Sequence, residues 1–141
     1  AILLEDEKSL LDNIAGCKEK LEERVNKVTF ELLSFLGNER LKGKKIAAFG
    51  AAAKGNTFLN YCGIKTNLIQ FICDETPSKQ YCFLPGSRLP VYPISKLEEE
   101  QPDIILILPW NWKKEIKAKL SFTKNWGAQL IVACPELEVL N

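Results

Sequence analysis

The chain contains no histidine. A Ser/His or Cys/His nucleophilic centre therefore cannot be assembled from its own residues, and the commonest general base is missing. A metal site would have to rest on cysteines or carboxylates, but the five cysteines, at positions 17, 62, 73, 82 and 134, form no CxxC pair. Cys62, Cys73 and Cys134 lie in apolar stretches, where a thiol behaves as a small core residue, and reduced thiols in a cytoplasmic setting are expected. An excess of one charge is absent too. The 19 basic and 18 acidic residues leave a net charge of +1, which gives no electrostatic footprint for nucleic acid. No apolar run reaches the length of a membrane span, and the opening AILLEDEK is too short and acidic for a signal peptide. The 141 residues, 46% hydrophobic and 26% charged, suit one globular domain of ordinary size with room for an appendage.

The most informative stretch is KKIAAFGAAAKGNTFLNYCGI, positions 44–64. Ile46 to Phe49 is a short apolar run, positions 50–55 are small and flexible, and Phe58, Leu59 and Cys62 recur at helical spacing, so the segment reads as strand, tight turn and helix. Such a turn presents backbone N–H groups and the positive end of a helix dipole, and both favour an anion. Its spelling separates two familiar phosphate-binding turns. Against GxGxxG, Gly50 and Gly55 fit, but Ala52 takes the middle place and would crowd a pyrophosphate. Against GxxxxGK[ST], Gly50, Gly55 and Thr57 fit, but Asn56 replaces the phosphate-binding lysine. Lys54, read as lying inside the turn, can supply one positive charge to a phosphate or sugar acid, or simply stand in solvent.

Ahead of this unit, positions 9–36 are helical in pattern. Ile14, Leu21, Val28 and Phe35 repeat every seven residues, Ser9 and Asp12 suit a capped start, and Gly37-Asn38 suits an end. A helix of that length runs about 40 Å, longer than a globule of some hundred residues is wide, about 30–35 Å. Part of its apolar stripe should overhang and seek a partner, either a second copy of the helix or another piece of protein; the alternative is a bent helix folded back on its own core. The charged positions 18–24 read as a solvated face.

Positions 68–73 read as a second buried strand ending at Asp74, which lies 24 positions after Gly50 (74 − 50), near the spacing of a ribose-binding carboxylate; an ordinary turn aspartate fits equally well. The proline-rich ETPSKQYCFLPGSRLPVYP follows as a structured loop with a Pro85-Gly86 turn and a short strand near positions 89–92. Within it Lys79, Gln80, Tyr81 and Arg88 are secondary candidates for ligand contact. A short capped helix at 95–100, a fully buried strand at 104–108, a helix at 113–120 and a last strand at 129–134 complete the pattern. Pro109-Trp110-Asn111-Trp112 would then stand beyond the carboxyl end of a central strand, where Trp110 could stack on a base or sugar and Asn111 could hydrogen-bond it. Alternating strands and helices imply an α/β fold, a Rossmann-like three-layer sandwich with a mostly parallel sheet of about five strands, preceded by a long N-terminal helix.

GAAAKGNTFLNYCGI, DETPSKQ, LPGSRLPVYP and PDIILILPWN occur in that order, and together they resemble the C-terminal domain of the sugar C-methyltransferases that act on nucleotide-linked deoxysugars. The usual pattern of that family is approximately GxxAKGxTLLNYCGI, DxNPxKQGxYxPGTHIPI and PDYVLILPWN, and the likeness covers about positions 42–135. It implies a connecting helix in 1–42 and a Rossmann-like domain in 43–141. It also implies that this domain helps hold a nucleotide sugar and binds no cofactor itself, while S-adenosylmethionine serves an upstream methyltransferase domain of the same enzyme. Carried over by position, Gly50, Lys54, Gly55, Asn56, Thr57 and Asn60 form the turn near the substrate. Asp74, Lys79, Gln80, Pro85 and Gly86 match the middle blocks, and Pro109, Trp110 and Asn111 the last. The chain departs from the pattern at Glu75-Thr76, at Tyr81 in place of a glycine, and at Ser87-Arg88 in place of Thr-His.

The sequence thus yields the expectation of a substrate-side domain, not catalytic alone, whose partners are a nucleotide sugar and an upstream methyltransferase domain, with a homodimer through the N-terminal helix as a further option. A free-standing sugar- or nucleotide-binding module and a small NAD-binding oxidoreductase domain through Gly50, Gly55 and Asp74 are the alternatives.

Overall fold

Two apolar runs, Ile46–Phe49 (β1) and Ile104–Ile107 (β4), are buried at every position, and they pair in parallel at the centre of the sheet with Ala48 opposite Leu106. Strands buried on both faces require helices on both. In this computed structural model, which describes the backbone of residues 2–140 and the side chains of residues 19–140, the helices supply that cover. Ile46, Ala48, Ile72, Ile104, Leu106 and Ile131 face one core, closed by Leu32 and Leu36 of helix α1 (Ile2–Leu41) and by Leu59 and Cys62 of α2 (Ala53–Cys62). The alternate residues Ala47, Phe49, Ile105, Ile107, Leu130 and Val132 face a second core, closed by Leu97 of α3 (Ser95–Glu100) and by Ile116 and Leu120 at α4 (Lys113–Lys119). The period of two along each strand thus divides one sheet between two helical layers.

The remaining strands are β2 (Phe71–Cys73), β3 (Val91–Tyr92), β5 (Gln129–Val132) and β6 (Glu138–Val139), and the order across the sheet is β3-β2-β1-β4-β5-β6. The first five are parallel, as expected, and β6 returns antiparallel along β5. This sixth strand is two exposed residues behind Pro135, too short to leave a periodic signal. The order reverses between β1 and β4, which makes the gap at their carboxyl ends the topological switch point, where sheets of this kind receive ligands.

Several boundaries differ from those expected. Helix α1 runs through Gly37 to Leu41, because Leu36 and Glu39 are buried on the packed side; it stops only at Gly43, whose φ is +84°. The Glu39 carboxylate lies 2.8 Å from the Lys44 ammonium and 3.2 Å from that of Lys42, and the bonds from these two lysines hold its pKa below the usual range. At 1.5 Å per residue α1 is about 60 Å long. Positions 19–24 are exposed, and Leu21, on the helix side that buries Leu32 and Leu36, is 62% exposed. At its other end α1 begins at Ile2, so Ser9 stands inside the helix and does not open it as expected; the side chains of Ser9, Asp12, Ile14 and Cys17 lie outside the described ones.

Strand β2 begins at Phe71, since Leu68 and Ile69 are spent on a turn in which both N–H groups donate to the Lys65 carbonyl. No side chain caps α3. Trp110–Trp112 and Ser121–Trp126 form 3₁₀ turns. Among the described residues, no helix is long and apolar enough to cross a membrane.

Candidate functional site

The turn after β1 is shorter than its sequence suggested. Gly50 takes a φ of +95°, and its N–H donates to the Cys73 carbonyl (2.8 Å). Ala52 is the N-terminal boundary of α2, and no side chain caps the helix. Lys54 and Gly55 accordingly belong to the first helical turn and not to a loop. Among the described residues no side-chain bond caps that end, and its first N–H groups carry the positive end of the dipole.

Both glycines are required by packing. A Cβ on Gly50 would lie 2.5 Å from Cγ and Cδ of Pro109, and one on Gly55 would lie 2.9 Å from Cβ of Leu108. The β1 turn and the segment after β4 are therefore in direct contact across the switch point. Beyond Pro109 the chain tightens into its 3₁₀ turn, where the N–H of Trp110 donates to the Leu108 carbonyl and that of Trp112 to Pro109. Trp110 is half-buried, with its ring edge-on to Phe58 at 6.0 Å and the Lys54 ammonium 4.5 Å from its centre. Asn111 is exposed, and Trp112 is 61% exposed.

The Pro109–Trp112 segment divides the crevice into two clefts. On the α2 side a cleft of about 170 Å³ is lined by Ala52, Lys54, Gly55, Pro109, Trp110 and Asn111, among others. On the α4 side a cleft of about 360 Å³ is lined by Gly50, Asp74, Glu75, Trp112, Glu115 and Lys119, among others. The Lys119 ammonium is paired with Glu75 at 2.8 Å. The first cleft thus combines a lysine with a helix N-terminus, while the second has three carboxylates and one paired lysine. Positive charge prevails in the first and negative charge in the second.

Asp74 stands at the carboxyl end of β2, but its carboxylate is turned inward. Oδ2 accepts from the Ala51 N–H (2.7 Å) and Oδ1 from the Thr76 N–H (2.8 Å). Burial pushes its pKa up; the N–H bonds from Thr76 and Ala51 and the nearby Lys79 ammonium outweigh that and hold it below the usual carboxylate value. Lys79 donates to the Ala51 carbonyl (3.1 Å), and Gln80 Nε2 donates to the Asp74 carbonyl (2.9 Å). These three residues hold the turn from behind.

Of the residues singled out in the sequence, Gly50, Lys54, Gly55, Pro109, Trp110 and Asn111 come together at the crevice. Thr57 donates to the Ala53 carbonyl one turn back along α2 (3.0 Å), and the amide oxygen of Asn56 is buried without a hydrogen-bond partner. Asn60 lies a further turn along; its Nδ2 donates to the Pro85 carbonyl (3.1 Å), and its amide packs so closely on Gly86 that a Cβ there would collide with it. Asn60, Pro85 and Gly86 thus join the loop to α2. Trp112, expected with Trp110 beyond the end of the strand, lines both clefts. One feature was missed: the Lys119–Glu75 pair spans 44 positions, and no local pattern announces it.

The family model for the C-methyltransferase C-terminal domain matches residues 1–135. The chain belongs to that family. Among its relatives is the C-methyltransferase NovU of Streptomyces niveus, 38% identical over 100 residues, which are 70% of this chain and 24% of the relative. The chain therefore spans about a quarter of that relative's length. The match includes α1 as well as β1 to β5, so the helix is part of what defines the C-methyltransferase C-terminal domain.

Asp74 ends the second strand, where adenosine cofactors find the carboxylate for their ribose hydroxyls, and here each of its oxygens accepts a backbone N–H.

Proposed function

We propose that this chain is the acceptor side of a sugar C-methyltransferase, and that its α2-side cleft receives the phosphate and sugar of a nucleotide-linked deoxysugar. The observation that carries this reading is the convergence of Lys54, the uncapped start of α2 and Trp110 on one cleft at the switch point. A helix N-terminus and an ammonium bind phosphate oxygens. The face of an indole packs against the C–H surface of a sugar or against a base, and Asn111 can exchange hydrogen bonds with hydroxyls.

On this reading S-adenosylmethionine is bound by another part of the parent enzyme, and the base that deprotonates the sugar carbon beside its ketone lies outside this chain, which has no histidine. Ala52 in the middle place of the turn weighs against the oxidoreductase alternative, since its methyl crowds a pyrophosphate, and each Asp74 oxygen already accepts a backbone N–H.

Tryptophan emission tests the assignment. Titration of the chain with a thymidine diphosphate sugar should displace Lys54 from the Trp110 face and change the emission, and Trp110→Phe should abolish that change. A signal that persists in Trp110→Phe, or no signal with wild type at saturating nucleotide sugar, would overturn the assignment of this cleft.

A further inference from the structure

Ala51 is held at both of its backbone polar atoms by side chains from the β2 side. Its N–H donates to Asp74 Oδ2 at 2.7 Å, and its C=O accepts from Lys79 Nζ at 3.1 Å. The residue before it, Gly50, is tied through its own N–H to the Cys73 carbonyl, and the residue after it, Ala52, opens α2 and accepts the Asn56 N–H at 3.0 Å. The direction in which the first N–H groups of α2 point is therefore set by a residue held through its N–H by a carboxylate and through its C=O by an ammonium. The Asp74 end is anchored again by the Thr76 N–H (2.8 Å) and by Gln80 on its carbonyl.

We propose that Asp74 and Lys79 are positioning residues for the anion-binding start of α2, acting through Ala51 and touching no ligand. This inference rests on the acceptor-binding reading above and deepens it. It divides the two lysines near the turn by role. Lys54 reaches the cleft from the front and contributes charge to the ligand, whereas Lys79 reaches the turn from behind and contributes geometry. Direct and positioning lysines differ in one measurable respect, since removing a charge that contacts an anion lessens the salt dependence of binding, while loosening a turn weakens binding equally at every salt concentration.

The test uses the whole chain in two arms. In the first, amide hydrogen exchange is followed by NMR in wild type, Asp74→Asn and Lys79→Gln, with no ligand present. Each variant should speed exchange at Ala51 by about tenfold or more through local opening, while the Ala47 and Ile105 amides of the central strands keep their wild-type rates. In the second, the affinity for thymidine diphosphate is measured across a range of salt. Each variant should weaken it by about three- to tenfold, as expected for charge-assisted bonds losing their aim, and the double variant by no more than the worse single one. The salt dependence should match that of wild type, and Lys54→Ala should flatten it. Lys79→Gln flattening it as Lys54→Ala does would make Lys79 a ligand contact and overturn the proposal. Unchanged exchange at Ala51 would overturn it too. Should wild type bind no nucleotide, the acceptor reading fails, and the exchange arm still decides whether the clamp exists.

Discussion

The Lys54 ammonium lies 4.5 Å from the centre of the Trp110 ring, so the lysine of the α2-side cleft rests on the aromatic that forms its wall. The pair joins the first turn of α2 to the segment after β4, the two pieces of chain that meet at the switch point. An ammonium over the face of a half-buried indole is worth about 1 kcal/mol, little enough for a phosphate to displace it.

Replacing Lys54 should separate binding from folding. Lys54→Ala is expected to weaken nucleotide-sugar binding several-fold, because a charge-assisted contact is lost, and to lower stability by no more than about 1 kcal/mol. Urea denaturation and binding measured on the same preparation check both halves. Unchanged affinity would return Lys54 to a solvent-exposed role.

The two glycines of the turn should rank by backbone strain. Gly50→Ala combines a φ of +95° with a Cβ 2.5 Å from a rigid proline ring, and a loss of about 2–3 kcal/mol is expected. Gly55→Ala meets Leu108 at 2.9 Å, but in an ordinary helical conformation. Alanine's better helix propensity, about 1 kcal/mol, offsets part of that overpacking, leaving a smaller loss than at Gly50. Urea midpoints measure the order.

Alkaline pH should unfold the domain through its buried thiols. Burial pushes Cys73 up to about 12 and raises Cys62 and Cys134 as well. In the unfolded chain these thiols ionise near their ordinary value, so above that value the native state holds the more protons and stability falls as pH rises. Denaturation midpoints should drop steadily from about pH 9 towards pH 12, with a shallower fall in Cys73→Ala. Below pH 8 the exposed Cys82 should react with thiol reagents well before Cys73.

Like Glu39, Asp74 contributes on the acid side. Its pKa is held below the ordinary carboxylate value, so its contribution is complete above that value and is lost as pH falls through the lower, native one. Asp74→Asn should be less stable than wild type at neutral pH, and the two stability curves should converge as wild type is acidified below about pH 4.

Much of the crevice was legible because its signals are local. A buried run before Gly50, a helical spacing after Gly55 and an apolar strand ending in Pro109-Trp110-Asn111 each follow from a few adjacent residues, and parallel topology brings their ends together. What local pattern does not reveal is the direction of a side chain. Asp74 stands at the spacing of a ribose ligand yet turns back to Ala51, and Asn60 reaches the Pro85 carbonyl 25 positions away. Helix α1 passed the expected stop at Gly37 for a related reason: burial of Leu36 and Glu39, a tertiary term, outweighs the glycine's cost. Strand β6 exists only because β5 offers it an edge.

The most direct measurement is a calorimetric titration of the chain with a thymidine diphosphate sugar, with S-adenosylmethionine and NAD as parallel ligands. The account requires heat with the nucleotide sugar, none with either cofactor, and a several-fold weaker affinity in Lys54→Ala. Heat with either cofactor, or no heat with the nucleotide sugar, would contradict it.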